Sequence, residues 1–200
     1  MNADNGFEKN EGYVGNEEDF NGIIFYLREP NTNGDKAKEF WFKRIIIDRE
    51  KYYQELEEAK CERIGTDKKT ASKFKNRFNE MLEQLGMGDK QLKDAAYGNV
   101  NSECGESSVT NEYKEKLSAS ADKLEKIINN MNKDELIIFT CKDIFNELSH
   151  VWLVKEIHMD GLKYNNKKES LQYFSHIING KKVTVYEILH PSRSSSLQNN

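Results

Sequence analysis

The chain has 200 residues, of which 36% are apolar and 32% charged, and its net charge is −4. That length supports one domain with a real core, and ten Phe and nine Tyr argue against wholesale disorder. The acidic balance argues against a protein that coats nucleic acid, because neutralising phosphates needs a basic surface, although a local basic rim around one pocket is compatible with it.

Residues 1–20 are rich in Asn, Glu and Gly and read as a flexible arm ahead of a single domain over 21–193, with a disordered tail at 194–200. Gly22–Leu27 is a continuous apolar run, the pattern of a strand buried on both faces, and Arg28–Gly34, which contains Pro30, is its exit loop. Phe40, Trp41 and Phe42, with Ile45, Ile46 and Ile47, open a largely helical stretch to about Lys60. From Thr66 to Leu85 the apolar positions Ala71, Phe74, Phe78, Met81, Leu82 and Leu85 fall at helical spacing, with Gly86 placed to end the helix.

Asp94–Asn101 is a weaker strand, followed by a loop over Ser102–Val109. Thr110 suits the N-cap of a helix whose stripe is Tyr113, Leu117, Ala121, Leu124, Ile127, Ile128 and Met131. Glu135–Thr140 is a strongly apolar strand that runs into a helix at Lys142–Leu148, and Val151–Met159 fits either a strand or a helix. Glu169–Asn179 is expected to be helical, with Leu171, Phe174 and Ile178 inward and Gly180 as the stop. Val183–Leu189 is a strand that ends at His190-Pro191-Ser192. Short apolar strands alternating with amphipathic helices indicate an α/β fold with a mainly parallel sheet.

No apolar run is long enough to span a membrane, and Met1–Phe20 lacks the apolar core of a signal peptide, so no membrane partner and a cytosolic (cytoplasmic) location are expected. Cys61, Cys104 and Cys141 are odd in number and without a CxxC pair, which reads as buried thiols rather than a disulfide framework or a metal cluster. His150, His158 and His176 lack metal-ligand spacing, so no metal is expected.

In an open parallel sheet ligands bind beyond the carboxyl ends of the strands. Those ends deliver Arg28, Glu29, Pro30 and Asn31; Asn99 and Asn101; Cys141 and Lys142; and His190, Pro191 and Ser192. Both prolines of the chain, Pro30 and Pro191, fall in these loops.

Four strand-then-loop blocks in this order, Ile23–Asn31, Ala96–Asn101, Leu136–Lys142 and Ile188–Ser192, resemble the uracil-DNA glycosylase superfamily over roughly residues 22–193. His-Pro-Ser directly after a strand is the most specific of them. The resemblance implies a three-layer α/β/α fold with a four-stranded central sheet, and cofactor-free hydrolysis of the N-glycosidic bond of a base flipped out of DNA. It makes Glu29 and His190 the catalytic candidates, the first directing water and the second donating to the departing base. Asn99, Asn31 and the aromatic Phe42 become the base-binding candidates, and Ser192, Arg193 and Arg28 the phosphate-binding ones. Two alternatives stay open: a module on the same fold that binds nucleic acid or a nucleotide without cleaving it, and a hydrolase of free nucleosides.

Overall fold

The run Ile23–Leu27 forms a strand with all five residues buried, as a strand covered on both faces requires. The computed structural model describes residues 6–8, 11–28, 43, 46–47, 75–76, 78–101, 111–164 and 167–188. Among these the strands are β1 (Gly12–Tyr13), β2 (Ile23–Leu27), β3 (Ala96–Asn99), β4 (Glu135–Thr140), β5 (His158–Tyr164), β6 (Lys167–Ile178) and β7 (Lys181–Glu187). The helices are α1 (78–84), α2 (Asn111–Leu117), α3 (Ser120–Asn130) and α4 (Lys142–Val151).

All seven strands lie in one sheet, in the order β1-β3-β2-β4-β7-β6-β5. The expectation of a four-stranded sheet is therefore corrected. The middle four strands, β3-β2-β4-β7, are parallel to one another, but β1 is added antiparallel beside β3, and β6 and β5 extend the sheet antiparallel beyond β7.

Alternation along β2 divides the core in two. Ile24 and Tyr26 join Leu124, Ile127, Ile128, Phe145 and Leu148 from α3 and α4 on one face, called face A here. Ile23, Phe25 and Leu27 join Phe78 and Leu82 of α1, and Ile46, on the opposite face B.

Three other expectations change. Residues 11–20 are not a free arm: Gly12 and Tyr13 pair with Tyr97 and Ala96, and Val14 and Phe20 are buried. Glu169–Asn179 is not a helix but most of β6, because it pairs on both sides and buries Phe174 and Ile178 on face A. The helix expected from Thr110 to Met131 is two, broken at Ser118–Ala119. Val151–Met159 divides into the end of α4 and the start of β5. Cys141 is buried and not in a disulfide. No helix among the described residues is long and apolar enough to cross a membrane. The helical stretch at 40–60, the loop 102–109 and the tail 194–200 lie wholly or largely outside the described residues.

Candidate functional site

The parallel strands enter the sheet in the chain order β2, β3, β4, β7 but stand in the spatial order β3-β2-β4-β7. The chain leaves β2 to one side and returns on the other, so the topological switch point lies between the carboxyl ends of β2 and β4. Two residue groups meet there, one on each face.

On face A, Arg28 leaves β2 and donates through Nε to Asp143, at 2.9 Å to Oδ2 and 3.1 Å to Oδ1. Asp143 sits in the first turn of α4, where the helix dipole favours a carboxylate. The Tyr113 hydroxyl, carried on α2, donates to the same Oδ2 at 2.7 Å. Burial pushes the Asp143 carboxyl up, but the bonds from Tyr113 and Arg28 outweigh it and hold its pKa below the ordinary 3.8. Burial, and then the bond to Asp143, push the Tyr113 phenol far above its usual range, so it stays a donor. Beside this cluster, Asn101 N–H donates to the Arg28 carbonyl at 2.9 Å, and Lys116 Nζ donates to Asn101 Oδ1 at 2.9 Å.

On face B the register makes a row. Leu27 is opposite Asn99, while Tyr26 is opposite Thr140 and Thr140 opposite Glu187, so the next positions align Asn99, Leu27, Cys141 and Ile188. All four are buried. Asn99 ends β3 with its side chain on the face that holds Tyr97, since Gly98 between them faces Tyr26 and Ile127. Among the described residues neither Nδ2 nor Oδ1 of Asn99 has a hydrogen-bond partner, although the residue is fully buried. Most buried side-chain polar atoms are paired, so a complete amide without a partner is a marked exception.

The backbone of Asn99 is by contrast held firmly. Its N–H donates to Glu11 Oε1 at 2.8 Å, and the same oxygen accepts from Lys123 Nζ at 3.0 Å. The Glu11 side chain is fully buried. Burial raises its pKa above the ordinary 4.5 in spite of Lys123 and the amide donors around it. Lys123 also meets Glu8 at 3.1 Å.

Of the residues singled out from the sequence, Arg28 and Asn99 are brought to one end of the sheet, on neighbouring strands but opposite faces. Arg28, expected to meet phosphate, is engaged by Asp143 through its Nε. Glu29, Asn31, Phe42, His190, Ser192 and Arg193 lie outside the described residues. The strands that lead to Glu29 and His190 end at Leu27 and Glu187. These ends share one side of the sheet with β4 between them, about 10 Å apart at two strand spacings.

Glu11, Tyr113, Lys123 and Asp143 are additions that the sequence reading passed over. Asp143 was within reach, as the first acid of a helix that follows a buried strand. Glu11 carries no such signal, because its role depends on a strand of two residues. Among the described residues no group of three or more His, Cys, Asp or Glu side chains is placed to hold a metal. Compared with known proteins, the chain matches no family model, no curated protein and no solved structure.

Proposed function

We propose that the chain recognises a nucleobase at the carboxyl end of its parallel strands and hydrolyses the N-glycosidic bond that carries it, as its resemblance to the uracil-DNA glycosylase superfamily implies. The observation that carries this reading is Asn99, a buried amide with a donor and an acceptor and no partner for either. An amide of this kind matches the adjoining acceptor and donor on the edge of a pyrimidine. Because Asn99 is fully covered, a base reaches it only when the elements over face B separate.

In the reaction a water oxygen bonds to the sugar C1′ as the C1′–N bond breaks, and the electron pair leaves with the base. Glu29 orients the water and takes its proton, while His190 donates to the base oxygen on which the charge develops. The pairing of Arg28 with Asp143 favours a second reading, in which the substrate is a free nucleoside without phosphates.

Oligonucleotides that carry uracil or other modified bases, treated with alkali after incubation, separate these readings. Strand breaks lost in Glu29→Gln and His190→Ala support the first. Tight binding without breaks replaces it with a module that binds without cleaving. Release of base from free nucleosides alone supports the second.

A further inference from the structure

β5 forms an outer border of the sheet: among the described residues it pairs with β6 on one side and with no strand on the other. All seven of its residues, His158–Tyr164, pair with β6 without a break, so no bulge turns the border away. It contains no proline and is not short, and its two charges, Asp160 and Lys163, are opposite in sign. The usual protections of an edge are therefore missing, and the N–H and C=O groups of alternate residues point outward as a template for another strand.

Exposed apolar side chains gather at the same border. Val151, Leu153, Ile157 and Met159 are all exposed, and all belong to the segment that runs from the end of α4 into β5. Trp152 holds this segment against the sheet by stacking on His176 of β6, with ring centroids 5.7 Å apart. Leu153 has a φ of 51°, the left-handed conformation that ends a helix and favours glycine. The cap is made by backbone alone, since the N–H groups of Leu153 and Val154 donate to the carbonyls of His150 and Ser149. A leucine held at such a position with its side chain 80% exposed gains nothing from the fold around it.

A second copy of the chain fits this border by symmetry. When two β5 strands run antiparallel about a two-fold axis at Gly161, His158 stands opposite Tyr164 of the second copy, Met159 opposite Lys163 and Asp160 opposite Leu162, and all seven residues of each strand are paired. An axis at Asp160 sets two carboxylates directly opposite each other, which is destabilising. It also leaves only residues 158–162 paired, and an axis at Leu162 leaves only 160–164. Charge agrees with the axis at Gly161. Lys163 and Lys168 of one copy stand opposite each other in the register, and Lys167 opposite Tyr164. The same alignment brings Glu156 of the second copy, whose side chain is 80% exposed, beside the hairpin end that carries these lysines.

We propose that the chain forms a two-fold dimer in which the β5 strands of two copies pair antiparallel about Gly161 and join both sheets into one, with Ile157, Met159 and Leu153 covered at the seam. Each copy contributes the same patch, so the contact closes on itself. Asn99 lies on β3, five strand spacings from β5 in the sheet order, or about 24 Å. The dimer therefore neither depends on the glycosidic reading nor tests it.

Sedimentation equilibrium of the full chain tests it. A species of twice 23.3 kDa that dissociates on dilution is expected. Met159→Lys sets lysine opposite Lys163 at two symmetric places and should weaken the dimer roughly 3- to 30-fold. Met159→Glu should keep it, and so should Met159→Lys combined with Lys163→Glu. Ile177→Lys, at a position as exposed as Met159 but beyond the residues of β6 that pair with β5, should have no effect. Met159 is exposed, so these changes leave the core intact, and thermal melting verifies that each variant folds. A 23.3 kDa species alone up to about 1 mM, a ladder of masses above the dimer, a dimer indifferent to Met159→Lys, or equal weakening by Lys and Glu at position 159 would overturn the proposal.

Discussion

The backbone N–H of Asn99 donates to Glu11 Oε1 at 2.8 Å, across 88 residues of chain. The main chain of Asn99 is thus anchored by a buried carboxylate while its side-chain amide is left without a partner. An anchored backbone with an idle polar side chain is costly for folding and suited to a ligand.

Asn99→Leu should therefore stabilise the protein while abolishing base recognition. It removes two buried polar atoms that are desolvated without compensation, a gain of about 1–3 kcal/mol. Urea unfolding checks the first effect and the abasic-site assay the second. A loss of stability would show that the amide is satisfied after all.

Glu11 gives the protein a pH dependence of unusual sign. Burial lifts its folded pKa above 4.5, so over the interval above 4.5 the folded state holds more protons than the unfolded chain. Its contribution to stability is fully present below 4.5 and is lost as pH rises through the raised value. Glutamine does not titrate. The stability advantage of wild type over Glu11→Gln, measured in urea from about pH 4 to about pH 8, should shrink with rising pH and then level off.

The Asp143 cluster has the opposite sign. Its folded pKa lies below 3.8, so its contribution is present above 3.8 and disappears as pH falls through the depressed value. Tyr113→Phe deletes one charge-assisted donor and should cost about 1.5–3 kcal/mol at neutral pH. That deficit should fade in acid. The effects of Tyr113→Phe and Asp143→Asn should fall short of additive, because both remove the same bond.

Phe139 stacks between Phe25 and Tyr186, with ring centroids 5.5 Å apart on each side, and is fully buried. Phe139→Ala should destabilise the fold by about 3–5 kcal/mol, and Phe139→Leu by much less. The midpoint of chemical denaturation reports both.

The sequence reading was most successful where burial on both faces left a continuous apolar run. Ile23–Leu27 and Glu135–Thr140 are strands at or within one residue of the expected limits. It failed at β6, where Leu171, Phe174 and Ile178 are spaced as a helix would space them. In the structure Phe174 and Ile178 face A while Leu171 and Tyr173 face B, the mark of a strand packed on both sides. Asn179-Gly180, taken as a helix stop, is a hairpin turn with φ of 48° and 85° between β6 and β7, the signature that an Asn-Gly pair carries between strands. The site was legible in part. The ends of the parallel strands marked Arg28 and Asn99, but their separation onto two faces depends on register, and the anchoring by Glu11 depends on a contact between distant parts of the chain.

The two outer strands of the sheet differ in what they offer another molecule. β1 has two residues and presents too little backbone to template a strand, while β5 presents seven. Among the described residues the sheet thus has a single usable border, which can join one copy of the molecule and then has nothing further to offer, so growth by strand addition ends at two. The short N-terminal strand is in this sense a chain terminator. Removing it would bare β3, create a second growth point and turn a dead-end pairing into an open-ended one.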